Sequence, residues 1–160
     1  MTTPPISRFK ANVALFGTLC NRMQRLSDWC EANNIEIEEC NKKHSDSFCP
    51  SERTIVLYKH QPTTTKKNTL IHEIGHALIF LARARNKNRK VVGRTFREFD
   101  RPLRTWSDRV AILMEEIEAW DRGERLAKKL GVRIDKKQFQ KERALAVASY
   151  VKFFGQTKRC

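Results

Sequence analysis

Apolar and polar positions follow two different periods along the chain, and these periods predict its secondary structure. Residues 7–33 carry apolar side chains at three- and four-residue spacings, which predicts a long first helix. Ile35 and Ile37 alternate with glutamates, and residues 53–58 are rich in β-branched side chains, so we expect a strand at each place. Residues 41–51 combine serine, aspartate, asparagine and proline and predict a loop.

Three further helices are expected after the second strand. The stretch 70–81, which reads LIHEIGHALIFL, is apolar enough to lie in a core. A helix that begins at Thr105 or Ser107 and ends before Gly131 follows it, and Asp135 opens a last helix that runs to residue 154. The apolar stripe expected on the middle one of these helices consists of Val110, Leu113, Met114, Ile117 and Trp120.

The order of these elements predicts one domain over residues 1–160 with an α+β fold. We expect it to be rich in helices and to hold a small β-sheet, with its core formed by about 53–130 between the first helix and the last. A hydrophobic fraction of 40% argues against a disordered chain. The longest apolar run is far shorter than a membrane span, and we see no secretory signal, so we expect a soluble protein of the cytoplasm.

The motif His-Glu-x-x-His lies inside the apolar stretch, with His72 and His76 one helical turn apart. At that spacing two imidazoles project from one face and can bind a single Zn²⁺. Glu73 stands beside them, where it can accept a proton from a metal-bound water and pass it to a leaving amine. Without a metal, three buried polar side chains would each cost about 1–3 kcal/mol if unpaired. The spacing therefore predicts a zinc hydrolase in which Glu73 is catalytic.

A third zinc ligand has to come from another part of the chain, because a catalytic zinc commonly has three protein ligands and one open position. The remaining histidines, His44 and His60, both precede the motif. An acidic residue on a downstream helix is the alternative, and residues 115–121 form an acidic island.

Two glutamates of that island are candidates for the ligand. Glu115 and Glu118 are three residues apart and share a helix face that borders the expected apolar stripe, whereas Glu116 is expected to point aside. We predict Glu118 as the third ligand, with Glu115 as a supporting or substitute ligand. The competing interpretation is a solvated helix face with ion pairs to Arg122 or Arg125.

A strand, a His-Glu-x-x-His helix, a spacer and a helix with Glu118-Ala119 together resemble the minimal gluzincin core of the ImmA/IrrE family of bacterial and phage peptidases. The resemblance covers about 53–130. It implies a zincin-like fold, Zn²⁺ as the cofactor, His72, His76 and Glu118 as its ligands, and a metallopeptidase that cuts a protein or peptide substrate. The compact Glu-Glu-x-Glu-Ala-Trp form also resembles uncharacterised phage-encoded proteins of this type, which would place the protein in a host cytoplasm. The sequence departs from the family where Trp120 and the three residues after it replace Asn-x-Phe-Ala.

The net charge of +14 is concentrated in two segments. Residues 83–104 hold nine basic and two acidic residues, and residues 122–160 hold twelve basic and three acidic ones. Such charge favours nucleic acid as an additional partner through its phosphates, with a solvated basic surface as the alternative. The first segment is long and weakly patterned, so we expect a flap or binding loop beside the metal site, or else a solvated linker.

Several smaller expectations accompany the zinc hypothesis. The strand at 53–58 is expected either to line the cleft and pair with extended substrate or to be an ordinary core strand. Tyr150, His60 and Tyr58 are candidates for an oxyanion donor by residue type alone. An odd number of cysteines favours free thiols, although Cys40, His44 and Cys49, helped by Cys30, could bind a second zinc. The alternative function is a nucleic-acid-binding or regulatory protein with a structural or degenerate zinc site.

Overall fold

Four helices and a three-stranded sheet make up the part of the chain that the computed structural model describes, namely residues 21–43, 45–85 and 105–156. The predicted α+β fold is therefore confirmed. In chain order the elements are α1 (Asn21–Ala32), β1 (Glu36–Cys40), β2 (Ser47–Cys49), β3 (Thr54–Tyr58), α2 (Thr63–Arg85), α3 (Trp106–Lys129) and α4 (Lys136–Gln156).

The sheet has β3 in its centre, with β1 parallel on one side and β2 antiparallel on the other. Ile55 of β3 lies opposite Ile37 of β1 and Phe48 of β2. The sequence did not predict β2, because its three residues lie in a polar stretch that indicated a loop. Both edges of β3 are occupied, so the expectation that this strand pairs with substrate is wrong.

Helices α2 and α3 pack against each other in an antiparallel arrangement at two glycines. A Cβ on Gly75 of α2 would overlap the backbone of Ala119, and one on Gly123 of α3 would overlap the backbone of Ile71. The two helices therefore approach until their backbones touch, which only glycine allows at these positions. This contact fixes which face of α3 meets α2, the helix that carries the His-Glu-x-x-His motif and is called the metal-motif helix below.

The ends of α3 are closed by the residues that the sequence predicted. Thr105 is the N-cap and forms a capping box with Asp108. Gly131 adopts a φ of 67°, and the N–H of Val132 donates to the carbonyl of Ala127 at 2.8 Å. This is a Schellman motif, which places the start of α4 directly beside the end of α3.

The face that α3 buries differs from the predicted one. Val110 and Met114 of the expected stripe are 55% and 60% exposed. The buried face instead runs through Ile112, Glu116 and Ala119 and continues to Gly123. Trp120 of the expected stripe is buried and lies at the border of the two faces, and at 100° per residue the centre of the buried face is turned by roughly 110° from that of the expected one. The prediction followed the largest apolar side chains, whereas close packing on α2 selects the small ones.

The remaining expectations concern the first helix, the basic segment, the second zinc site and a membrane span. Residues 7–20 of the first helix, the basic segment 86–104 and His44 lie outside the described residues. Cys40 and Cys49 sit on strands at opposite edges of the sheet, so the structure does not bring them together for a second zinc. Among the described helices, none combines the length and the apolarity that crossing a bilayer requires.

Candidate metal centre

Three side chains from two helices converge at the contact between α2 and α3. The Nε2 atom of His72 lies 3.3 Å from Oε2 of Glu116, and the Nε2 atom of His76 lies 3.2 Å from Oε1 of the same carboxylate. The imidazole rings of His72 and His76 are 4.7 Å apart between centroids. Within the described residues, these three form the group of histidine, cysteine and acidic side chains whose geometry could hold a metal ion.

Glu118, the predicted third ligand, is not part of this group. Its side chain is 47% exposed, and one carboxylate oxygen accepts hydrogen bonds from Nε and Nη2 of Arg122 at 2.8 and 2.6 Å. It lies on the exposed face of α3, beside Met114 and Ile117. Glu116, which was expected to point aside, takes the place beside the histidines because the face that α3 packs on α2 is turned from the expected one and includes Glu116.

The sequence does contain a pattern that indicates Glu116 as the residue facing the histidines. Glu116 precedes Ala119 by three residues and Gly123 by seven, so all three share a helix face. Small residues at that spacing allow the close approach of a second helix, and the metal-motif helix carries Gly75 between its own histidines. Matching these small residues would have placed Glu116 toward the motif.

Glu73 is buried next to the three converging side chains, with Oε1 at 3.9 Å from Nε2 of His72. Burial raises the pKa of Glu73, and the carboxylates of Glu116 and Asp46 add to this effect, while His72 and His76 oppose it. A raised pKa suits a carboxyl group that has to accept a proton and then release it.

The carboxylate of Glu116 also receives a hydrogen bond from α4. The Tyr150 hydroxyl donates to Oε1 of Glu116 at 2.9 Å. Burial by itself would raise the pKa of Glu116, but the neighbouring His72 and His76 outweigh it, so that this carboxyl ionises well below its usual range. Burial and the Glu116 carboxylate raise the pKa of Tyr150, which keeps its hydroxyl a donor. Of the oxyanion candidates, Tyr150 thus lies at the site, while the rings of Tyr58 and His60 contact each other.

A partly buried ion pair between Arg83 and Glu115 lies on the Nδ1 side of His76. Arg83, near the end of α2, donates to Oε2 of Glu115 at 2.6 Å. The other oxygen, Oε1, is 3.9 Å from Nδ1 of His76, and within the described residues neither of these two atoms has a hydrogen-bond partner. Burial disfavours the charged imidazole, but Glu115 and Glu116 together outweigh it and raise the pKa of His76 to about 10. Glu115 therefore lies where it can orient His76 from behind.

His72 is fixed by an aromatic stack. The indole of Trp120 lies 4.4 Å from the His72 ring between centroids, at an interplanar angle of 22°. Trp120 in turn packs edge-on against Phe139 of α4, and both are buried. The stack limits rotation of the imidazole, so Nε2 stays directed at Glu116.

The three residues fit a zinc ion by type and by spacing. Two imidazoles and one carboxylate are a common ligand set of catalytic zinc. Tetrahedral coordination with bonds of about 2.0–2.1 Å keeps ligand atoms a little over 3 Å apart. The nitrogen-to-oxygen distances of 3.3 and 3.2 Å, each to a different oxygen of Glu116, are close to that spacing, and with one ligand atom from each residue all three atoms lie within 4.8 Å of one another. Nε2 is the atom that each histidine brings close to Glu116, and both Nδ1 atoms lack a hydrogen-bond partner within the described residues.

Comparison with known proteins adds no family to this geometry: no protein-family model, no curated protein and no solved structure matches the chain.

Proposed function

We propose that this protein is a zinc-dependent hydrolase that cleaves peptide bonds, with His72, His76 and Glu116 as zinc ligands and Glu73 as the general base. The observation that carries the proposal is the convergence of both Nε2 atoms on one carboxylate, directly beside a second buried carboxyl group. Glu116 replaces Glu118 in this ligand set because Glu116 lies within 3.3 Å of both Nε2 atoms, whereas Glu118 pairs with Arg122.

Different side chains of the site have different roles in the proposed hydrolysis. A bound Zn²⁺ supplies Lewis acidity at this site, which allows water to act as a nucleophile at neutral pH. Glu73 accepts the proton of the attacking water and returns it to the amine that leaves, a role that its raised pKa favours. The stack on Trp120 and the pair of Glu115 with Arg83 hold the two imidazoles in place.

Tyr150 has two roles in this proposal. In the structure its hydroxyl donates to Glu116 and so orients that carboxylate. Because its raised pKa keeps the proton in place, the same hydroxyl can turn to stabilise negative charge that develops on the substrate carbonyl. Because β3 is hydrogen-bonded to a strand on each side, an extended peptide substrate would pair with one of the outer strands, β1 or β2, of the sheet that the structure describes.

Metal content in purified variants tests the ligand set. We expect about one zinc per chain in the wild type and in Glu118→Ala, and loss of most zinc in Glu116→Ala. Elemental mass spectrometry on proteins prepared side by side measures this, and circular dichroism confirms that each variant is folded. Zinc that is retained in Glu116→Ala and lost in Glu118→Ala would contradict the assignment, as would a wild type that takes up no zinc.

Glu73→Gln separates metal binding from catalysis. The amide cannot accept a proton, so we expect the variant to keep its zinc and to lose peptide hydrolysis by at least about a hundredfold. A protein substrate and a peptide library are the two assays. Hydrolysis at the wild-type rate in a zinc-loaded Glu73→Gln protein would rule out the general-base role.

A further inference from the structure

A basic surface surrounds the turn between α3 and α4. Residues 125–141 contain seven basic residues and one acidic residue, and all seven basic side chains are exposed. The acidic residue, Asp135, is occupied as the N-cap of α4 and accepts from the N–H of Gln138 at 3.1 Å. The surface is formed by Arg125, Lys128, Lys129, Arg133, Lys136, Lys137 and Lys141.

The cations of this surface have few counter-charges. Lys128 pairs with Glu124 at 2.7 Å. Within the described part of the chain, the other six side chains form no ion pair with a carboxylate. Two more cations reach the same turn from distant parts of the sequence: Arg25 donates to the carbonyl of Leu130 at 2.8 Å, and Lys67 to that of Arg133 at 3.1 Å. The fold thus gathers positive charge from all four helices at one place.

The cations at the start of α4 do not serve the stability of the fold, unlike Lys128 and Lys129, which lie in the last turn of α3, where positive charge is favourable. Lys136 and Lys137 occupy the first turn of α4, which contains no acidic residue, and positive charge is unfavourable at the start of a helix. The like charges on the surface also repel one another. An external polyanion would relieve both costs.

We propose that this surface binds the phosphate backbone of a nucleic acid, independently of the hydrolase function proposed above. Exposed lysine and arginine side chains suit the repeated charges of a phosphate backbone. A membrane suits it less well, because peripheral helices need large apolar side chains next to their basic ones. On α4 the exposed Val151 and Phe153 lie ten or more residues after Lys141, near the other end of the helix, so Leu145, one turn after Lys141, is the large exposed apolar side chain of α4 that lies next to this surface.

Charge reversal on this surface, with a matched pair elsewhere, tests the proposal. Lys136→Glu/Lys137→Glu is compared with Lys42→Glu/Lys43→Glu, whose lysines are equally exposed but lie in the turn between β1 and β2. The probes are labelled duplex DNA, single-stranded DNA and duplex RNA of about 20 nucleotides per strand, followed by fluorescence anisotropy between about 50 and 200 mM salt. Vesicles with anionic lipid form a separate arm.

We expect the wild type to bind at least one of these nucleic acids with an affinity that falls as salt rises. Reversal at 136 and 137 should weaken binding about tenfold or more and lower the salt slope by about two, whereas reversal at 42 and 43 should change the affinity by less than about twofold. Lys136→Gln/Lys137→Gln, which removes charge without adding any, should give a smaller loss in the same direction and guards against misfolding of the reversed variant.

Three outcomes would overturn the proposal. They are the absence of binding to all three nucleic acids, equal losses in the two reversed pairs, and binding to anionic vesicles alone. His72→Ala should bind nucleic acid as the wild type does, so a failure of the zinc proposal and a failure of this one are distinguishable. The probe that binds most tightly identifies DNA or RNA as the partner.

Discussion

Gly75 lies between the two histidines of the metal motif and touches the backbone of Ala119 on α3. The same face of α3 carries Glu116 one turn earlier, where it reaches both Nε2 atoms. A backbone contact that only glycine permits therefore sets the distance between the histidines and their carboxylate. The second contact, between Gly123 and Ile71, fixes the rotation of α3 in the same way.

Gly75→Ala should destabilise the protein and loosen the metal centre together. The added methyl group meets backbone atoms, which cannot rotate away, so α3 has to shift. We expect the free energy of unfolding to fall by at least about 2 kcal/mol and the zinc affinity to fall with it. Urea denaturation of the metal-free protein and competition with a chelator measure the two effects.

Gly155→Ala is the matched control for this substitution. It also places alanine in a helix, but nothing lies within 4 Å of the added carbon. Its free energy of unfolding should stay equal to that of the wild type or rise by up to about 1 kcal/mol, because alanine favours helix more than glycine does. If Gly75→Ala proved as stable as Gly155→Ala, the close helix contact would not be the constraint that we describe.

Glu115 should affect the strength of zinc binding without being a ligand. Its free oxygen faces Nδ1 of His76, while Arg83 holds the other oxygen. If the ligands are those proposed, Glu115→Ala should weaken zinc binding about 10- to 100-fold. The variant protein should still bind one zinc at saturation. Glu115→Gln keeps an acceptor for the imidazole and should recover part of the affinity.

Chelator competition measures the affinity of these variants, and the visible spectrum of the cobalt-loaded protein reports the ligand geometry. Glu118→Ala, three residues along the same helix and exposed, is the control and should match the wild type in both. An unchanged zinc affinity in Glu115→Ala would show that Glu115 does not orient His76. Loss of the metal even at saturating zinc would make Glu115 a ligand instead.

Cys30 should make the protein less stable at alkaline pH. Burial raises the pKa of its thiol from 9.0 to about 12. Between these two values the unfolded chain loses the thiol proton and the folded chain keeps it, so the unfolded state binds fewer protons. The free energy of unfolding should therefore be unaffected by this group below about pH 9 and fall above it, by up to about 1.4 kcal/mol per pH unit.

Cys30→Val isolates this contribution, because valine is apolar and does not ionise. Urea denaturation of both proteins from about pH 8 to pH 10.5 should give curves that diverge above about pH 9, with the wild type falling faster. Lysines and tyrosines titrate in the same range but do so in both proteins. Parallel curves would mean that the thiol ionises in the folded protein as readily as in the unfolded one.

Local patterns were sufficient for most of the fold and for two of the three side chains that converge at the site. The strand at β3, the cap at Thr105 and the turn at Gly131 each depend on a few adjacent residues, so the sequence predicted them. His72 and His76 lie one turn apart on a single helix, and their spacing alone brings the imidazoles together. Strand β2 was missed because three residues are too few to establish a period.

The third side chain of the site could not be read from its own helix. Which face of α3 is buried depends on contacts with Gly75 and Ile71, which belong to another helix. The larger apolar residues Val110 and Met114 therefore misled the prediction, although both are exposed. A burial pattern that follows small residues reflects backbone packing between helices, and hydrophobic periodicity does not measure it.

The order of the strands has a consequence for how the chain is made. Of the three strands that the structure describes, β3 comes last in the sequence but lies in the middle of the sheet, and β1 and β2 are each hydrogen-bonded to β3. When the chain has left the ribosome only as far as residue 53, it contains both outer strands of the sheet but lacks the central strand with which they pair. The sheet can close only when residues 54–58 arrive, and α2 begins at Thr63, directly behind them. Sheet and metal-motif helix thus become available within one short interval of synthesis.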